Sequence, residues 1–110
     1  ILNNLIKIII CRNRPVDINL IVETGYSFPS GHSITAISSY GLILYYLYLH
    51  KFNKKLKIIL MLIVSCVMIL IPVSRVYLGV HYFSDVLAGS CLGIIWIMIY
   101  TSYIEKKRIQ

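Results

Sequence analysis

Acidic residues are nearly missing from this sequence. Only Asp17, Glu23, Asp85 and Glu105 carry a side-chain carboxylate, against 11 lysines and arginines, and no two of the four are close in sequence. A metal centre built from clustered carboxylates is therefore not expected. Cysteine says little more. Cys11, Cys66 and Cys91 make an odd count with no CxxC spacing, which points to neither a disulfide framework nor a thiolate metal site. Cys66 and Cys91 lie in apolar runs and read as small packing residues. Charge of either sign is scarce: 14% of the 110 residues are charged, where a soluble domain has about a quarter.

What is present is apolar chain in long pieces. Residues 33–49, 58–74 and 86–104 carry no charge, and each run is 17 to 19 residues long. A helix of roughly 20 residues crosses the hydrocarbon core of a bilayer. Three such runs in a short chain leave too little polar sequence to cover them in water, so an integral membrane protein is expected. Residues 1–6 are already apolar, with no initiating Met and no signal-peptide pattern. They read as the end of an earlier spanning helix whose upstream part is missing from this sequence.

Local signals divide the chain further. A polar loop over residues 12–29 gives way to a helix over about 30–50, whose first half is rich in Ser33, Thr35, Ala36, Ser38, Ser39 and Gly41. Small residues let helices approach closely in lipid. A basic turn over 51–57 precedes a helix over about 56–73, which Pro72 is expected to end. A connector over 74–82 leads to a helix over about 83–104, with Gly89-x-x-x-Gly93 as a packing face. Lys51, Lys54, Lys55 and Lys57 fall on the same side as Lys106, Lys107 and Arg108. By the preference of basic flanks for the cytoplasm, that side is cytoplasmic. Lys7, Arg12, Arg14 and Arg75 stand near the opposite face. The bland reading of these four is contact with lipid headgroups; the sharper one is a site for a multiply charged anion.

Three stretches meet at that opposite face. Phe28-Pro29-Ser30-Gly31-His32-Ser33 combines a helix-starting proline, an N-cap serine, a glycine that admits close approach and a histidine. The N-terminus of the helix it opens is suited to an anion. Lys7 and Arg14-Pro15 add two cations. Ser74-Arg75, His81 and Asp85 add a third cation, a second histidine and a carboxylate. At i, i+4, His81 and Asp85 are expected to face each other across one helical turn. There the carboxylate would fix the imidazole tautomer and leave the other nitrogen nucleophilic. Phosphoryl transfer calls for this set of groups: cations and backbone N–H groups for the oxygens, a nucleophile, and an acid for the leaving oxygen.

The motifs Lys7-x6-Arg14-Pro15, Pro29-Ser30-Gly31-His32 and Ser74-Arg75-x5-His81-x3-Asp85 resemble, in order and at every position, the three signatures of the type 2 phosphatidic acid phosphatase superfamily. That family includes lipid phosphate phosphatases and undecaprenyl diphosphate phosphatases. The resemblance implies an all-α integral membrane bundle with three full transmembrane helices plus the end of a fourth, the core of the phosphatidic acid phosphatase/haloperoxidase-like fold. Residues 1–110 would form one such domain, lacking its N-terminal part. It implies metal-independent hydrolysis of a lipid phosphate or diphosphate, with undecaprenyl diphosphate, phosphatidylglycerol phosphate and phosphatidic acid as candidate substrates.

His81 would attack phosphorus and form a phosphohistidine, Asp85 would orient it, and His32 would protonate the leaving oxygen. Lys7, Arg14 and Arg75 would hold the phosphate, with Ser30 and Gly31 helping through hydroxyl and backbone N–H. No metal, cofactor or nucleic-acid partner is implied; the partners are the lipid substrate and the membrane. A bacterial cytoplasmic membrane with the site on its extracytoplasmic face is expected, since the Ile-, Lys- and Asn-rich composition suggests an AT-rich bacterial genome. The competing readings are a lipid phosphotransferase, a catalytically inactive truncated membrane fragment, and a lipid-binding scaffold. The scaffold leaves His32, His81 and Asp85 unexplained.

Overall fold

The computed structural model describes residues 1–17, 19–51 and 53–109. One residue each of the 16–28 stretch of the polar loop, the basic turn and the C-terminus of the expected 1–110 domain therefore lies outside the described residues. All regular structure described is helical, in the order α1 (Leu2–Ile10), α2 (Gly31–Leu49), α3 (Lys54–Tyr77) and α4 (Phe83–Ile109). Two of these helices, α3 and α4, are long and apolar enough to cross a membrane. Only 6% of the apolar window of α3 is buried, so Leu62, Ile63, Ile69 and Leu70 present their side chains outward. A water-soluble fold would hide such a face; a lipid-facing helix has no need to.

The helix α2 is the central one and packs against both α3 and α4. Its start is fixed by Ser30, whose hydroxyl oxygen accepts from the Ser33 amide at 3.4 Å and from the Ser33 hydroxyl at 2.9 Å. The Ser30 amide in turn donates to the Asp85 carbonyl at 3.0 Å, which ties the start of α2 to the start of α4. Small residues bring these two helices together. A methyl group at Gly89 would stand 2.5 Å from the Ser30 carbonyl oxygen, and one at Gly93 would stand 2.8 Å from Ile37 Cβ. Because the Ser30 oxygen belongs to a capped backbone, it cannot swing away. Gly89→Ala is therefore expected to push α4 off α2 and to cost about 1–3 kcal/mol, the range for overpacking. Thermal unfolding in detergent checks this: an unchanged midpoint would mean that the close approach contributes nothing.

Two expectations need correction. Pro72 does not end its helix, because α3 runs through it to Tyr77. Pro72 is buried in an apolar run whose packing outweighs one missing backbone bond, as transmembrane helices allow. Ser74 and Arg75 therefore sit on the last turns of α3, and the connector shrinks to residues 78–82. At the other end, α4 continues past residue 104 to Ile109, so Lys106, Lys107 and Arg108 form its final turn. Their charge suits the negative end of the helix dipole there.

Candidate active site

A cavity of about 1240 Å³ opens between α1, the first half of α2, Ile71 of α3, the loop over 22–26 and His81 just before α4. Lys7, Arg14, Glu23, Gly31, His32 and His81 line its polar end, while Ile34, Ala36, Tyr40, Ile43 and Ile71 form an apolar wall. From Gly31 to Ile43 that wall follows α2 for about 18 Å, at 1.5 Å per residue.

Arg14 is fixed before any ligand arrives. Its Nε donates to the Gly25 carbonyl at 3.0 Å, its Nη2 to the Thr24 carbonyl at 3.2 Å and its Nη1 to the Val80 carbonyl at 2.9 Å. The same Nη1 lies 3.2 Å from His81 Nε2 and 2.9 Å from Glu23 Oε2. A guanidinium can only donate, so His81 Nε2 accepts and Nδ1 carries the ring proton. The Nδ1 atom lies 3.4 Å from Ser27 Oγ and 3.8 Å from Asp85 Oδ2. The Ser27 hydroxyl donates a short hydrogen bond to that same Oδ2.

The His81–Asp85 relation thus differs from the expected helical pair. His81 precedes α4, and Asp85 caps it, accepting from the Tyr82 amide at 2.9 Å. Ser27 stands against both groups and belongs to the loop over 16–28. Asp85 is fully buried and is held from the other side by Arg12 at 2.8 Å. Arg12 also stacks 4.3 Å from the centre of the Tyr82 ring and donates to Ser84. Nothing in the spacing of the motifs had marked Arg12 or Ser27.

His81 is 3% exposed. Burial pushes its pKa down to about 4; the Arg14 charge adds to this, Asp85 opposes it, and Lys7 adds a smaller lowering. The imidazole is therefore neutral near pH 7, the form a nucleophile needs. His32 is exposed on the first turn of α2 and lines the same cavity. One donor atom from each of His32, His81 and Glu23 lies within 4.8 Å of the others. Those are metal-ligand residue types, but Glu23 is already bonded to two guanidinium groups, Arg14 and Arg75. Two fixed positive charges at that point favour an anion over a cation.

The remaining sequence-derived residues fall into place unevenly. Lys7 reaches the cavity and donates to the Tyr26 carbonyl at 2.6 Å. Gly31 lets Asn3 approach the start of α2, where a methyl group would stand 2.9 Å from Asn3 Nδ2. Ser30 is fully buried, with its hydroxyl turned to Ser33 and its amide to Asp85, so neither group faces the cavity. The expected hydroxyl contact from Ser30 is thus replaced by a capping role. Arg75 meets the site through Glu23, and its Nε is buried without a hydrogen-bond partner among the described residues.

Comparison with known proteins bears on this arrangement directly. The family profile described as the PAP2 superfamily matches residues 1–109. A phosphatidylglycerophosphatase B of Bacillus subtilis is 40% identical over 112 aligned positions, covering all of this chain and 55% of that protein. A phosphatidylglycerophosphatase B of Haemophilus influenzae is 36% identical over 90 positions, covering 79% of this chain and 36% of that one. The crystal structure of a transmembrane PAP2-type phosphatidylglycerolphosphate phosphatase from Bacillus subtilis superposes with a TM-score of 0.85 at 40% identity, covering 96% of this chain and 53% of that one. The chain spans about half the length, or less, of the curated relatives it matches.

Proposed function

The chain belongs to the PAP2 superfamily, and from that membership we propose that it hydrolyses a lipid phosphate without a metal, with phosphatidylglycerol phosphate the first substrate to try. One observation carries the proposal. Arg14, Arg75 and His81 Nε2 converge on a single anionic group at the head of a cavity whose wall turns apolar along α2. A phosphate at that head and an acyl chain along that wall match the shape of such a substrate.

The chemistry follows from the placement. The phosphate oxygens take over the contact between Arg14 Nη1 and His81 Nε2, which frees the nitrogen lone pair. Nε2 attacks phosphorus, the bond from phosphorus to the lipid oxygen breaks, and His32 gives that oxygen a proton. His32, now neutral, takes a proton from water as the water attacks the phosphohistidine, and orthophosphate leaves. Ser27 and Asp85 hold the Nδ1 proton throughout, and Arg14, Arg75 and Lys7 balance the charge that gathers on the oxygens.

In the bilayer we place α2, α3 and α4 as three spans, with α1 as the end of a fourth. Lys54–Lys57 and Lys106–Arg108 then lie on the cytoplasmic side and the site on the other. Phosphate release in detergent with EDTA tests the activity. Phosphatidylglycerol phosphate, phosphatidic acid and undecaprenyl diphosphate would be compared side by side. Release from at least one in EDTA supports the proposal; no release from any of them, by a folded protein, rejects it.

A further inference from the structure

Glu23 has no role in that mechanism, yet its carboxylate occupies the middle of the site. Oε2 lies 2.9 Å from Arg14 Nη1 and 4.0 Å from His81 Nε2, and Oε1 accepts from Arg75 Nη2. Both oxygens thus stand where two oxygens of a phosphate would stand, with the nucleophilic nitrogen alongside. We propose that Glu23 is a tethered competitor for the phosphate-binding site, which every incoming anion must displace. The inference rests on the reading of this cavity as the phosphate site.

The local structure allows that displacement. Arg14 is held by the carbonyls of Thr24, Gly25 and Val80, so it stays in place when Glu23 leaves. Arg14 also anchors the backbone next to Glu23, so only the side chain of Glu23 needs to swing. Its side chain is 19% exposed and has room to turn outward. Arg75 keeps a buried Nε with no partner among the described residues, a donor that a carboxylate on Nη2 leaves unused and a broader anion can reach.

The consequence is a threshold. A bilayer surface presents many anionic lipids with a single phosphodiester charge. Such a headgroup exchanges one negative charge for another and gains little. A terminal phosphate carries about −1.5 to −2 near neutral pH, so it gains further attraction from Arg14, Arg75 and Lys7. Glu23 therefore keeps weakly held anions out and helps to expel the orthophosphate product.

Competition has a distinctive signature. If a fraction of the protein holds the site closed, the apparent affinity of every ligand falls by that same fraction, whatever its charge. The test compares the wild type with Glu23→Gln in mixed micelles. It reads KM for phosphatidylglycerol phosphate and inhibition constants for orthophosphate and for phosphatidylglycerol. All three are expected to fall by one common factor of about five or more. Glu23→Asp, with its charge kept and its reach shortened, should fall between the two. Unchanged constants, or a raised KM because Glu23 was supporting the arginines, would overturn the proposal. So would a shift that grows with ligand charge, the mark of a general field effect. Calorimetric titration with orthophosphate reads the same factor without turnover. A wild type that releases no phosphate, but binds orthophosphate more weakly than Glu23→Gln does, would reject the phosphatase reading alone.

Discussion

His81→Ala is expected to abolish phosphate release, a loss of about 10³-fold or more, with the protein still folded. Loss of a covalent nucleophile typically has effects of this size or larger. Around the anion site His81 has both features of a nucleophile: it is buried, and it is held neutral by its surroundings. His32 is exposed at the start of α2, with a ring nitrogen within 4.8 Å of one of His81, and the proposed mechanism makes it the acid for the leaving oxygen. Its removal should cost about 10²–10⁴-fold, the usual range for a general acid or base.

The two variants are distinguished by what accumulates. With an aryl phosphate, whose leaving group needs no acid, His32→Ala should still transfer phosphate to His81 and then stall, because no base activates water. An acid-labile, base-stable phosphate label on the wild type and on His32→Ala, absent from His81→Ala, is the expected result. A label that persists in His81→Ala would assign the nucleophile elsewhere.

The motifs announced most of this site because spacing along helix ends is a local property. Ser30 before a helix start, and His81 four residues from Asp85, can be read from neighbours in the chain. The contacts that refine the site are not local. Ser27 lies 54 residues from His81, and Arg12 lies 73 from Asp85. Both depend on how the loop over 16–28 folds back, with the Ser27 amide donating to the Arg12 carbonyl and that of Leu20 to the Leu78 carbonyl. Such a loop has no periodicity from which to read its fold. Glu23 did carry a faint signal as one of only four acids, placed between the motif of Lys7 and Arg14 and that of His32. Pro72 misled for a related reason. The rule that proline ends a helix weighs one lost hydrogen bond, whereas the apolar run around it decides where the helix goes.

Arg14 separates charge from geometry, and its substitution should also have a large effect. Arg14→Gln removes a forked donor from the developing phosphate charge, which should cost about 10²–10³-fold in kcat/KM. It should also move the acid limb of the pH profile. In the wild type His81 keeps its proton off down to about pH 4, because it is buried and beside Arg14. Lys7 adds a smaller lowering; Asp85 and a hydrogen bond with the Ser27 backbone pull the other way. Removing the Arg14 charge raises the His81 pKa toward its ordinary 6.5, so kcat/KM should begin to fall at a higher pH than in the wild type.

Arg14→Lys provides the contrast. It keeps the charge and loses the fork, so its rate should drop while its acid limb stays close to that of the wild type. The second ionisation of the substrate, near pH 6, is common to all three proteins and cancels in the comparison. Folding stability should follow the same linkage. An unfolded chain protonates His81 near 6.5 and the folded one near 4, so acid withdraws stability across that window, and less so in Arg14→Gln. If the acid limb of Arg14→Gln coincides with that of Arg14→Lys, the Arg14 charge does not keep His81 neutral, and burial alone does.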